Sequence, residues 1–144
     1  MIPAAALILA LTGHAATQTE ARYARAIDAA TTDTRTRVVL AVVAHAETRC
    51  HADSPTPPFG LDDWAQVHGR WPSIEEGARL AVATLDHIRT VRCPGAELAV
   101  VLGWYSHGFR GRAHGCHSDF VSRREVRRVE RLQRIAATWR DDGP

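Results

Sequence analysis

The sequence contains no lysine; all 18 basic residues are arginine. That is the signature of a GC-rich genome, and it makes every cation a planar guanidinium suited to acyl, carboxylate or sugar contacts. Cysteine is scarce and odd in number, with Cys50, Cys93 and Cys116, so at least one thiol is free or intermolecular. No apolar run reaches the ~20 residues that a membrane-spanning helix needs, which argues against an integral membrane protein. G-x-S-x-G, P-loop and G-x-G-x-x-G patterns are all missing. Serine-hydrolase, nucleoside-triphosphatase and dinucleotide-binding chemistries therefore have no local support. The net charge of +2 is too small to imply nucleic acid.

What remains is an ordinary globular balance, 45% hydrophobic and 24% charged over 144 residues, which fits one domain with a single core. Met1-Ile2-Pro3 leads into the apolar run Ala4 to Leu11, and Gly13-His14-Ala15 follows as a small-x-small pattern. Residues 1–16 therefore read either as a signal peptide without a basic n-region or as an N-terminal helix packed on the core. The domain proper spans 17–144. Export would favour one disulfide, and Cys93 with Cys116, both in loop-like sequence, is the first choice of pair.

Along the chain the pattern is helical. Thr17-Gln18-Thr19-Glu20 fits a capping box that opens a helix to about Ala30. Arg37 to Arg49 is apolar all round, which means a buried element, and its thirteen residues favour a helix over a strand. Residues Cys50 to Pro72 carry four prolines, two glycines and no helical period; an irregular stretch that long is usually functional. Pro72-Ser73-Ile74-Glu75-Glu76 starts a helix to about Arg92, with Ile74, Ala78, Ala81, Leu85 and Ile88 on one face. Ala96 to Tyr105 is a short apolar helix before a Gly-rich loop, Gly108 to Gly115. Ser122 caps a last, basic helix whose inner face is Val126, Val129, Leu132, Ala136 and Trp139. The expected fold is mainly α, with a long connector after the second helix of the domain.

Glu47 breaks the pattern. It lies on the stripe of Leu40, Val43 and Ala44 at the C-terminal end of the buried helix, where desolvation and the negative helix end both disfavour its anion. A carboxyl kept neutral is what a general acid requires; the plainer alternative is pairing with an arginine. Glycoside cleavage also needs stabilisation of an oxocarbenium-like centre, by an aspartate (Asp53, Asp62 or Asp63) or by the substrate's own N-acetyl group. Phe59, Trp64 and Trp71 offer flat faces for sugar rings.

Val43-Ala44-His45-Ala46-Glu47-Thr48-Arg49 resembles the catalytic-Glu helix end of the lytic transglycosylase (goose-lysozyme-like) group of the lysozyme superfamily, with Thr48 where Ser is usual. Phe59-Gly60-Leu61 through Ala65-Gln66-Val67-His68 is similar to that group's Gly-Leu-Met-Gln-Ile strip, with an insertion. Gly103-Trp104-Tyr105-Ser106-His107-Gly108 resembles its Ala-x-Tyr-Asn-x-Gly motif, with Ser106 in place of Asn. The likeness covers roughly residues 37 to 135. It implies a lysozyme-like fold and cleavage of peptidoglycan between MurNAc and GlcNAc, with Glu47 as acid/base. It also implies Thr48, Trp64, Gln66, Tyr105 and Ser106 at the substrate, with no metal or cofactor. The protein would be a monomer acting in the periplasm, outside the cell, or delivered by a phage. An inactive wall- or partner-binding module of the same fold is the alternative.

Two further constellations compete. Cys50-His51 with His114-Gly115-Cys116-His117 could supply four zinc ligands, but lacks paired C-x2-C or H-x3-H spacing. From Arg110 to Arg140, nine arginines face three acids. The apolar stripe of the last helix places those arginines outward, suited to anionic envelope polymers rather than to nucleic acid.

Overall fold

The computed structural model describes residues 1–107, 115–117 and 122–141. Among them the chain is mainly helical and forms no strand. The seven α-helices are α1 (Ala4–Thr12), α2 (Gln18–Ala30), α3 (Thr34–Thr48), α4 (Asp62–His68), α5 (Ile74–His87), α6 (Leu98–His107) and α7 (Arg123–Ala137). A 3-10 turn at Pro58–Gly60 precedes α4, and a π-turn at Ile88–Arg92 extends α5. No helix among the described residues is long and apolar enough to cross a membrane.

α3 is the axis of the domain. Val38 through Ala44 are each at most 1% exposed, because α1, α2, α5, α6, α7 and the 3-10 turn all pack around this one helix. Each buried Val or Leu contributes about 1.5–3 kcal/mol of transfer free energy. The helix begins at Thr34, four residues before the apolar run, because Asp33 caps it by accepting from the Thr36 N–H at 3.1 Å. Capping boxes form at Thr17–Glu20 and Ser73–Glu76. The α5 face of Ile74, Ala78, Ala81 and Leu85, continued by Ile88, is buried as its spacing requires.

Several boundaries differ from those expected of the sequence. The stretch 50–72 is not irregular throughout, since it holds the 3-10 turn and α4. Trp139 lies past the end of α7 and is 40% exposed rather than on the inner face. The N-terminal run is a helix that buries Ile2, Ala4, Leu7 and Ile8 in the core. Arg37 fastens it there: its guanidinium donates to the Ile2 carbonyl at 3.0 Å and pairs with Asp28 at 3.1 Å. Asp28 in turn accepts from the Ala4 N–H at 2.9 Å. Cys93 and Cys116 form a disulfide, and Cys50 is a free, buried thiol. The Gly-rich loop lies outside the described residues except for Gly115.

Candidate active site

Glu47 is the penultimate residue of α3. The helix stops there because Arg49 and Cys50 both take left-handed backbone angles, φ 52° and 56°, a conformation costing L-residues roughly 1–2 kcal/mol each. Thr48 holds that turn. Its hydroxyl donates to the Ala44 carbonyl at 2.8 Å, accepts from the Cys50 N–H at 3.1 Å and lies 3.3 Å from the Tyr23 hydroxyl. Thr48 is therefore a buried structural residue and does not face a substrate; its polar group is consumed inside the core.

The proline-rich segment then folds back over the end of α3. Thr56 donates its hydroxyl to the Glu47 carbonyl at 2.6 Å. In the 3-10 turn, Phe59 takes φ 59° and buries its ring 5.4 Å from that of Tyr23. The next residue, Gly60, has φ 66° and presses directly on the Glu47 side chain. A Cβ at Gly60 would lie 2.9 Å from Glu47 Cγ and Cδ and 3.1 Å from Oε2. Only glycine permits both the backbone angle and this approach. From α6, the Tyr105 hydroxyl donates to the Phe59 carbonyl at 2.6 Å and so locks the turn against the carboxyl.

Electrostatics follow from this packing. Burial, followed by the negative charges of Asp62 and Glu125, pushes the Glu47 carboxyl above its ordinary value. Burial, and then the Glu47 charge, pushes the Tyr105 phenol up as well, so it remains a donor. Glu125 comes from the first turn of α7. Ser122 caps that helix by accepting from the Glu125 N–H at 3.2 Å, but the Glu125 carboxyl lies 3.8 Å from Arg128 and its Oε2 is buried without a hydrogen bond. Burial, and then the nearby Arg128 and Arg49 charges, push the His45 imidazole, one turn before the end of α3, below its ordinary value.

A cleft of about 350 Å³ opens beside Gly60, within the range of small-ligand sites, and Glu47 itself is not among the residues that line it. Gly60 and Tyr105, which both lie near Glu47, form part of its wall with Leu61, and Leu80 and Ile88 contribute apolar surface. Trp64 and Trp104 line it, with Asp63 and Arg92 as charged groups. The Trp104 indole donates to the Gly115 carbonyl at 3.0 Å, and the Cys93–Cys116 bridge anchors that segment next to Arg92. Trp64 stacks on His68 at 3.9 Å and carries the Arg70 guanidinium 4.8 Å from its ring centre, so part of its aromatic surface is already used.

No protein-family model, curated protein or solved structure matches the chain. Its own geometry brings together Glu47, Gly60 and Tyr105, with Trp64 in the adjoining cleft. It does not bring Gln66 with them: Gln66 is exposed on α4 and lines a separate groove with Asp62 and Trp71. Ser106 is exposed beside Tyr105, and Gly108 of the same motif lies outside the described residues. Of the three aspartates, Asp62 acts on the Glu47 charge, Asp63 lines the cleft and Asp53 is exposed.

Sequence reasoning missed Glu125 as a neighbour of Glu47. Its place in the capped first turn is visible in the sequence, but its approach from a distant segment leaves no local signal. The zinc grouping loses both thiols, because Cys116 is bonded to Cys93 and Cys50 is fully buried in the core. His114 lies outside the described residues.

Proposed function

We propose that this chain cleaves the glycan strands of peptidoglycan, with Glu47 as the general acid and then the general base. One observation carries the proposal: a carboxyl at the end of a buried helix, raised in pKa by burial and two neighbouring acids, is held against a glycine turn that walls an aromatic cleft. The neutral carboxyl donates its proton to the glycosidic oxygen as the C1–O bond breaks, leaving an oxocarbenium-like centre. The resulting Glu47 carboxylate then accepts the proton of the attacking hydroxyl. If that hydroxyl is the sugar's own 6-OH, the product is a 1,6-anhydro end; if it belongs to water, the product is a reducing end.

Tyr105 acts as a positioning residue through the Phe59 carbonyl, and Trp64 and Trp104 supply apolar contact for a pyranose. Gln66 and Ser106 stay in the proposal only as exposed groups that an extended strand could reach. The disulfide fits an oxidising compartment, the periplasm or the exterior.

The test is digestion of purified sacculi by the wild type and E47Q, with mass spectrometry of the products. Release of muropeptides by the wild type and not by E47Q supports the proposal. Sacculus binding by both with release by neither would replace it with the non-catalytic wall-binding reading.

A further inference from the structure

The charge on α7 is not spread around the helix. Arg123, Arg124, Arg127, Arg131 and Arg134 are all exposed, and at 3.6 residues per turn they fall within about 100° of its circumference. They run along roughly 16 Å of helix axis at a rise of 1.5 Å per residue. Among the described residues none of the five enters an ion pair; the α7 arginine that does is Arg128, at the edge of the buried face, with Glu125. The exposed Glu130 flanks the stripe, which sets five arginines against that one acid on a chain whose net charge is only +2.

We propose that this face of α7 is a docking surface for a linear polyol-phosphate polymer of the cell envelope, separate from the cleft and independent of glycan cleavage. Guanidinium groups bind phosphate oxygens bidentately. Successive turns present them about 6 Å apart along the axis, comparable to the phosphate spacing of an extended phosphodiester chain. The helix cannot insert into a bilayer, because its apolar side (Val129 and Leu132) is buried in the core and no second apolar face remains. A nucleic acid is less well matched. The stripe carries no aromatic side chain on which bases could stack, and a helix docked along its length does not project into a groove.

The experiment measures binding of the full chain to deacylated poly(glycerol phosphate) by calorimetry across a salt series. Two triple variants carry the same charge loss: R127Q/R131Q/R134Q on the stripe and R22Q/R25Q/R79Q on α2 and α5, with circular dichroism checking that both fold. The wild type should lose affinity steeply with salt, with a log–log slope near −3, and the stripe variant should lower that slope by about 2. The control variant should bind like the wild type. Absence of wild-type binding, equal weakening in both variants, or tighter binding to oligo(dT) of matched phosphate number or to phosphatidylglycerol vesicles would each overturn the proposal.

Discussion

Substituting alanine for Gly60 perturbs the site without touching the chemistry of the carboxyl. The new Cβ would stand 2.9 Å from Glu47 Cγ and Cδ, whereas relaxed carbon contacts need ~3.5–4.0 Å. The Glu47 side chain, being flexible, must retreat by about 0.7 Å to restore such a contact. A misplacement near 1 Å can cost a catalytic group on the order of 10² in rate. The backbone adds its own penalty, since an L-residue at φ 66° costs roughly 1–2 kcal/mol, or about 4 °C of melting temperature per kcal/mol in a domain of this size. Gly69 separates the two effects. It has the same left-handed conformation, φ 68°, but a Cβ added there would meet no atom within 4 Å. G60A and G69A should therefore lose similar thermal stability by calorimetry, while only G60A loses muropeptide release. Full activity in G60A, or an equal loss in G69A, would refute the claim that Gly60 positions the carboxyl.

Other outcomes follow from the same contacts. E47Q should lower glycan cleavage by about 10²–10⁴ and gain stability relative to the wild type as pH rises. Burial and the neighbouring acids hold the wild-type carboxyl above the ordinary glutamate value, so the native state binds more protons than the unfolded chain there and loses stability as pH rises through that region; parallel thermal melts from acid to neutral pH would read this. Y105F leaves the Phe59 carbonyl without its donor and should cost about 1–3 kcal/mol in denaturant unfolding, with slower turnover from a looser turn. Reducing the Cys93–Cys116 bridge should cost about 3 kcal/mol for a loop of this length, measured by melts with and without dithiothreitol. Cys50 should not react with a thiol reagent in the native, oxidised protein, because its thiol is buried and pushed up to about 12.

The parts of the fold legible in the sequence are those set by local chemistry. Thr17–Glu20 and Ser73–Glu76 cap because each box is contained within a single turn. α3 reads as a buried helix because the unbroken apolar run from Val38 to Ala44 leaves no solvent face. Glu47 points inward because its offsets of three, four and seven from Ala44, Val43 and Leu40 allow only one side of a helix. What could not be read depends on contacts between distant segments. α4 has seven residues and buries none of them, so it has no apolar period to detect. Thr48 reads as substrate-facing beside Glu47, but one residue further along a helix turns the side chain by about 100°, here into the core against Tyr23. The approach of Gly60 and Glu125 to Glu47 is a product of assembly, and no short motif encodes it.

The chemistry proposed for this chain requires the Glu47 carboxyl to be held neutral beyond the ordinary carboxylate range by its surroundings. Carbon-13 NMR titration of that carboxyl, in the wild type and in D62N/E125Q, tests it most directly. A midpoint above the ordinary glutamate value in the wild type that moves down in the double variant yet stays raised, since burial is the larger cause, is the predicted result. A wild-type midpoint at or below the ordinary glutamate value would contradict it.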